Sequence, residues 1–94
     1  MNISGFKRYL KEVIYKGKRL TSNGINARIS WCKRVERDFK INLDEIAKSS
    51  KKINKLREEI YSNNLYKPRQ RSNFPNGLSH YYIYRSGKRL PRLK

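Results

Sequence analysis

The segment TSNGINARISWCKRVERDFK, which runs from Thr21 to Lys40, carries the clearest helical pattern in the chain. Its apolar residues recur every three or four positions, as in a helix that buries one face. The expected buried stripe is Ile25, Ile29, Cys32, Val35 and Phe39, with Trp31 at its border. A hydroxyl at Thr21 or Ser22 can accept a hydrogen bond from a free N–H of the first turn. We therefore predict a long helix over residues 22–40.

The opposite face of this helix is predicted to be a polar ridge. Its members follow one another at helical spacing and are Asn26, Ser30, Lys33, Arg37 and Lys40. Such a ridge suits contact with phosphates or with a nucleic-acid groove. A merely solvated face is the alternative, because exposed charges often make no specific contact. Glu36 falls near the apolar arc, where we expect it to pair with a base at the edge of the core.

Further helices are expected on both sides. Residues 4–16 form an amphipathic pattern that Ser4 can cap and that Gly17 can end in a left-handed conformation. The apolar face of this first helix would be Phe6, Tyr9, Leu10, Val13 and Ile14. Beyond the long helix, one short turn is expected to begin at Asp44. A third helix then covers residues 50–61, with Ile53, Leu56 and Ile60 directed inward.

The C-terminal third is predicted to contain a loop and one more helix. Residues 62–76 lack a helical period and contain Pro68 and Pro75, so we expect a loop there. A last helix is expected over residues 76–85, ended by Gly87; Leu78 and Tyr82 would face inward, with Tyr81 as a further candidate. No segment shows strand alternation. The predicted fold is all-α, a compact bundle of four to five short helices in one domain over residues 1–86, with residues 87–94 as a basic tail whose order is left open.

The charge of the chain points to a polyanionic partner. Twenty-four Lys and Arg residues stand against seven acids, which gives a net charge of +17 in only 94 residues. Solubility of a small domain requires a net charge of only about 2 to 8. All seven acids lie between Glu12 and Glu59, so the C-terminal third is purely cationic. Nucleic acid is the favoured partner, and an acidic protein or an anionic membrane surface are the alternatives.

Several kinds of site are not indicated by the sequence. Cys32 is the only cysteine and His80 the only histidine, too few for an intrachain disulfide or a zinc site. His80 has no neighbouring carboxylate, so a structural or solvent-facing ring is favoured over a phosphate contact or catalysis. No glycine-rich phosphate loop and no apolar run of membrane-spanning length occurs in the sequence. We expect a cytoplasmic protein, bacterial or in the host cell of a phage, that is not an enzyme and uses no cofactor, metal or membrane.

Two segments combine basic and aromatic residues in a way that suits phosphate contact and stacking on bases. They are YKPRQR, from Tyr66 to Arg71, and HYYIYRSGKR, from His80 to Arg89. They add Lys67, Arg69, Arg71, Tyr84, Arg85, Lys88 and Arg89 to the candidate binding residues. For the tyrosines, a position at the edge of a small core is the alternative. Lys88 and Arg89 rank above Lys18 and Arg19 of the similar segment IYKGKRL, because they open an acid-free tail.

The order of these features resembles the N-terminal core-binding, SAM-like domain of tyrosine recombinases and phage integrases. The resemblance rests on FKRYL from Phe6 to Leu10, on the long helix after Leu20 and on INLDEIA from Ile41 to Ala47. Ser22 and Ile25 match the family pattern, whereas Gly24 and Ile29 depart from it. The resemblance implies a helical bundle that lies against duplex DNA through its second and last long helices. It does not imply recombinase activity, because that family keeps its catalytic residues in a separate domain.

The predicted function is non-enzymatic binding of nucleic acid, with duplex DNA favoured and RNA possible, by a protein of a phage or other mobile element. The first alternative is a small phage-type inhibitor of a host defence nuclease complex, of the anti-CRISPR kind, whose target would be a host protein or ribonucleoprotein. The second alternative is a basic structural RNA-binding protein of the ribosomal type.

Overall fold

The computed structural model describes residues 1–15 and 17–89. Within these residues the chain forms a helical bundle with one very small hairpin, which confirms the all-α prediction. The helices are α1 (Ile3–Glu12), α2 (Ser22–Phe39), α3 (Leu43–Ile46), α4 (Ser50–Tyr61) and α5 (Pro68–Ser86). The hairpin pairs β1 (Ile14–Tyr15) with β2 (Lys18–Arg19) in antiparallel fashion.

The first helix is shorter than the sequence predicts. Asn2, and not Ser4, caps α1 by accepting a hydrogen bond from the Gly5 N–H at 3.0 Å. The chain leaves the helix at Val13, because the β-branched pair Val13–Ile14 favours extended backbone. The prediction of helix to residue 16, with Ile14 inside it, is therefore wrong, and Ile14 is 62% exposed on the hairpin. Gly17 does adopt a positive φ of 79°, but it turns the hairpin instead of ending a helix.

Helix α2 begins and ends close to the predicted bounds. Thr21 caps it by accepting from the Gly24 N–H at 3.0 Å, and Lys40 follows its last turn in the left-handed conformation. The predicted stripe is buried at Ile25, Ile29, Cys32 and Val35 and half-buried at Phe39. Arg28 is buried as well, which the sequence pattern does not predict.

The middle of the chain also follows the local pattern. Asn42 caps the single turn of α3 by accepting from the Asp44 N–H, and Ser49 caps α4 by accepting from the Lys52 N–H. Helix α4 has the predicted bounds, and its three predicted inward residues, Ile53, Leu56 and Ile60, are all buried.

The prediction of a loop over residues 62–76 is wrong from Pro68 onward. Pro68 is the first residue of α5, where its missing N–H would have no partner in any case. The Lys67 N–H donates to Gln70 Oε1 at 2.9 Å and so completes the helix start. Pro75 lies inside the helix, where it removes one backbone hydrogen bond. Its ring is fully buried, and Phe74 and Leu78 of the same helix are buried too, so the apolar area removed from water opposes this loss.

Helix α5 is the central element of the bundle. It packs along α2 and α4, and α1 lies against α2 and α5. Helices α2 and α5 run in opposite directions: Asp38 near the end of α2 contacts Tyr66 just before α5, whereas Arg28 lies against Gly77. Tyr81 is fully buried, as the sequence suggests, and its hydroxyl accepts from the Asn2 N–H and donates to Asp44. One tyrosine thereby joins the starts of α1 and α3 to α5.

Candidate nucleic-acid interface

The predicted ridge forms one exposed face of α2. Asn26, Ser30, Lys33 and Arg37 are all exposed on the side of α2 that faces away from the core. Lys40, directly after the helix, is exposed too. Only Arg37 of this set makes a described ion pair, with its Nε 3.4 Å from Asp38 Oδ1, and 71% of its side chain is exposed. The ridge therefore presents its amide, hydroxyl and cationic groups to solvent.

A groove between α2 and α5 brings residues from distant parts of the chain together. It has a volume of about 380 Å³, and we call it the α2–α5 groove. Ser30, Trp31 and Arg34 line it from α2, and Arg69, Gln70 and Asn73 line it from α5. Ser30 and Arg69, which the sequence marks separately, thus lie on facing walls. This arrangement exists only because residues 68–76 are helical and not a loop.

Arg34 also lines this groove, although it is not among the binding residues predicted from the sequence. It follows Ser30 by one helical turn, so the same helical spacing that defines the ridge could have found it. Its Nε donates to Asp38 Oδ2 at 2.9 Å, and its guanidinium carbon lies 5.9 Å from the centre of the Tyr66 ring. The guanidinium is therefore held in place at the edge of the groove.

Asp38 is an acid within this cationic region, and its charge is compensated. Tyr66 donates its hydroxyl to Asp38 Oδ2 at 2.7 Å, on the same oxygen that Arg34 contacts. Although partial burial acts the other way, hydrogen bonds from Tyr66 and Arg34 hold the pKa of Asp38 below its usual range. Burial and the bond to Asp38 raise the pKa of Tyr66 to about 12. At neutral pH the cluster therefore contains a carboxylate, a neutral phenol and two guanidinium groups.

The remaining predicted binding residues do not join the groove. Lys67 is exposed at the N-cap of α5, whereas Arg71 is half-buried, with its Nη1 3.5 Å from Asn64 Oδ1. Lys88 and Arg89 are exposed just beyond the C-cap Gly87. The 19 residues of α5 span about 28 Å, so these two cations and Arg69 lie at opposite ends of the helix. The part of the predicted tail after Arg89 lies outside the described residues.

Tyr84 and Arg85 are held by the fold. The Tyr84 ring packs 5.8 Å from Phe6 and 5.7 Å from Tyr9, between ring centres, and is half-buried. This position matches the alternative of a core-edge tyrosine and leaves little of the ring for stacking on a base. Arg85 directs its Nε to Asp44 Oδ1 at 3.3 Å, so part of its charge is used inside the protein.

Three of the seven acids, Glu36, Asp44 and the Asp38 already described, make contacts that organise the fold. Glu36 accepts from the Leu43 N–H at 2.9 Å and lies 3.2 Å from the N-terminal ammonium of Met1, so it does pair with a positive group, although the sequence does not indicate which one. Asp44 contacts the same ammonium at 3.4 Å, together with Tyr81 and Arg85. The other four acids, Glu12, Glu45, Glu58 and Glu59, lie on α1, α3 and α4. The outer faces of α2 and α5 therefore carry no uncompensated carboxylate within residues 22–39 and 68–86.

The titratable groups expected to be structural lie inside the fold. Burial, together with the charge of Arg28, lowers the pKa of His80 to about 4, and its Nδ1 is buried without a hydrogen-bond partner. Burial raises the pKa of the Cys32 thiol. Among the described residues, no three His, Cys, Asp or Glu side chains are grouped so as to hold a metal ion. In the same part of the chain, no helix combines the length and the apolar character needed to cross a membrane.

No protein-family model matches the sequence, and neither a curated protein nor a solved structure matches it.

Proposed function

We propose that this protein binds nucleic acid, with duplex DNA as the favoured form, through the ridge of α2 and the adjoining α2–α5 groove. The observation that supports this function is the charge pattern of two adjacent helices. Lys33, Arg34 and Arg37 are exposed on α2, Arg69 is exposed on the adjacent α5, and the one exposed acid of these two helices, Asp38, is already paired. Ser30 and Asn73 line the groove beside Arg34 and Arg69 and add neutral hydrogen-bonding groups, and Asn26 is exposed on the ridge of α2.

The chemistry of this surface fits a phosphate backbone. Arginine guanidinium groups pair with phosphate oxygens through two N–H donors, and hydroxyl and amide groups supply further contacts that fix register. Helix α2 is 18 residues long, so its ridge extends over about 27 Å and can reach several phosphates. Enzymatic function receives no support from these groups, because the half-buried His80 is neutral at pH 7, with its pKa lowered to about 4, and Asp38 is held by Tyr66 and arginines.

The test compares charge reversal on the ridge with charge reversal elsewhere. Lys33→Glu/Arg37→Glu removes two cations from the proposed interface, and Lys51→Glu/Lys55→Glu makes the same charge change on the exposed side of α4. We expect the ridge variant to weaken binding of a labelled duplex at least about 10-fold more than the α4 variant. Fluorescence anisotropy measures both affinities at the same salt concentration. Equal losses in the two variants would mean that only net charge matters and would remove the ridge from the proposal.

The salt dependence supplies a second measurement. If about 6 to 10 phosphates are neutralised, affinity for duplex DNA falls by ~10³ to 10⁵ between about 50 and 200 mM salt. Parallel titrations with single-stranded DNA and RNA establish which form is preferred. Affinity that barely changes over this range would contradict the function itself.

The two alternative functions predict different partners for the same surface. A phage-type inhibitor would retain a protein partner in a pull-down after nuclease treatment. A ribosomal-type protein would co-sediment with ribosomes, which a DNA-binding protein would not do. The integrase-like resemblance bears on duplex DNA as the preferred form, and the charge pattern stands without it.

A further inference from the structure

Asp38 is at first sight the wrong residue for an anion-binding surface. It lies in the last turn of α2, next to Arg34 and Arg37, on a face whose other charged groups are cations. A carboxylate there repels phosphate, so simple electrostatics predicts that the surface would bind DNA better without it. Its contacts indicate a different role.

Those contacts fix one guanidinium group. Asp38 Oδ2 accepts from Arg34 Nε at 2.9 Å and from the Tyr66 hydroxyl at 2.7 Å. The Tyr66 ring lies under the same guanidinium and is itself packed at right angles to Phe74 of α5, with 5.2 Å between ring centres. Because Tyr66 is buried, the far end of this chain of contacts is anchored in the core.

The arrangement leaves the binding end of Arg34 available. Its described hydrogen bond uses Nε, so the two terminal NH₂ groups remain as paired donors. Only 42% of the Arg34 side chain is exposed, against 71% for Arg37, and Arg34 lines the α2–α5 groove opposite Arg69. A phosphate in this groove would therefore have guanidinium groups on both sides.

We infer that Asp38 and Tyr66 are positioning residues, which hold Arg34 so that Arg34 and Arg69 clamp a backbone phosphate of the bound nucleic acid in the α2–α5 groove. This inference rests on the proposed function and adds to it the binding position of one phosphate. Holding a long side chain in its bound geometry lowers the entropy lost on binding, which more than compensates for the repulsion of a carboxylate that is already paired.

The two roles of Asp38 predict effects of opposite sign. Asp38→Ala removes one negative charge, so electrostatics alone predicts tighter binding of a labelled duplex. We expect binding that is about 5- to 10-fold weaker, of the order of one weakened charge-assisted hydrogen bond. Glu45→Ala is the matched control, because it removes one exposed carboxylate on α3, away from the groove. We expect that control to bind as tightly as the unchanged protein or more tightly.

Tyr66→Phe tests the same idea without any change of charge. It removes only the hydroxyl that donates to Asp38, so we expect a smaller loss of affinity in the same direction. Circular dichroism establishes that each variant is folded. Should Asp38→Ala fail to fold, Tyr66→Phe alone decides, and affinity equal to that of the unchanged protein would overturn the inference.

A double-mutant cycle separates positioning from general stability. If Asp38 acts through Arg34, Asp38→Ala must lose its harmful effect in an Arg34→Ala background and there slightly improve binding. The fluorescence of Trp31, the chain's only tryptophan, reports on the groove directly, because Trp31 lines it. We expect duplex DNA to change this fluorescence in the unchanged protein and to change it less in Arg69→Ala.

The outcomes distinguish this inference from the proposed function. If binding depends on salt and Asp38→Ala binds the duplex as tightly as Glu45→Ala does, the positioning role is overturned. The proposed function then still stands. An unchanged Trp31 signal in a complex that forms normally would also place the phosphate outside the groove. If the unchanged protein binds no duplex at all, the proposed function fails, and the clamp fails with it.

Discussion

The surroundings of His80 disfavour protonation of its imidazole ring. The ring is half-buried on α5, its Nδ1 has no hydrogen-bond partner, and the buried Arg28 of α2 adds positive charge nearby. Burial, with Arg28, lowers the pKa of His80 from 6.5 to about 4. In the unfolded chain, His80 therefore takes up a proton near pH 6.5, whereas in the folded chain it stays neutral until the pH falls to about 4. Stability attributable to His80 is complete above pH 6.5 and declines as pH falls toward 4.

We expect the free energy of unfolding to drop by about 1–2 kcal/mol between pH 7 and pH 5, a value reduced for the partial exposure of the ring. Urea titrations at the two pH values measure it. His80→Gln removes the only histidine and should flatten the dependence over this range. A pH dependence that survives in His80→Gln would show that other groups cause it.

Gly77 sets how closely α5 approaches α2. A Cβ at this position would lie 3.3 Å from Trp31 Cβ and 3.5 Å from the Arg28 carbonyl oxygen, so any larger side chain would push the helices apart. We expect Gly77→Val to destabilise the protein by about 1–3 kcal/mol, because overpacking a close helix contact strains both partners. Because Trp31 also lines the α2–α5 groove, duplex affinity should fall as well.

Gly24→Ala is the control for Gly77→Val. It places a Cβ in α2 at ordinary contact distance, 3.4 Å from the ends of the Arg28 and Thr21 side chains. We expect its stability to equal or exceed that of the unchanged protein by up to about 1 kcal/mol, through better helix propensity. Thermal melts of both variants provide the comparison, and a Gly77→Val protein that melts as high as Gly24→Ala would contradict the role given to Gly77.

The success of sequence-based prediction differs between elements for a physical reason. Helix α4 is predicted within its observed bounds because its apolar period is local to the segment. The first half of α5 is not predicted to be helical, because a proline inside a helix costs about 3 kcal/mol by propensity. Only burial of Pro75 against the rest of the molecule opposes that cost. Phe74 and Pro75 are buried in the folded molecule, which no local pattern reveals.

The same reason limits prediction of the site. The α2 ridge lies on one helix, so helical spacing alone predicts its members. The α2–α5 groove depends on how two helices dock, and on residues 68–76 being helical at all. Helical spacing could reveal Arg34. It does not predict the hydrogen bond between Tyr66 and Asp38, because these two residues lie 28 positions apart in the chain. Contacts of this kind become visible only in the folded molecule.

Over the whole molecule, the excess of positive charge opposes folding and favours a polyanion. A net charge of +17 repels itself in a globule whose largest extent is 31 Å. All seven carboxylates are already counted in this net charge, so the side chains supply no further negative charge to offset the repulsion. Bound phosphates would supply the missing negative charge.

Salt should therefore act in opposite directions on the free and the bound protein. Raising salt from about 20 to 200 mM screens the self-repulsion, so the Tm of the free protein should rise. If duplex DNA binds as proposed, at about 100 times its Kd it should stabilise the fold by about 2.7 kcal/mol, equivalent to about 10–20 °C in Tm for a domain of this size. That increment should shrink as salt weakens binding. Thermal melts with and without duplex across this range measure both trends, and an increment that salt leaves unchanged would show that phosphate contacts do not supply the stabilisation.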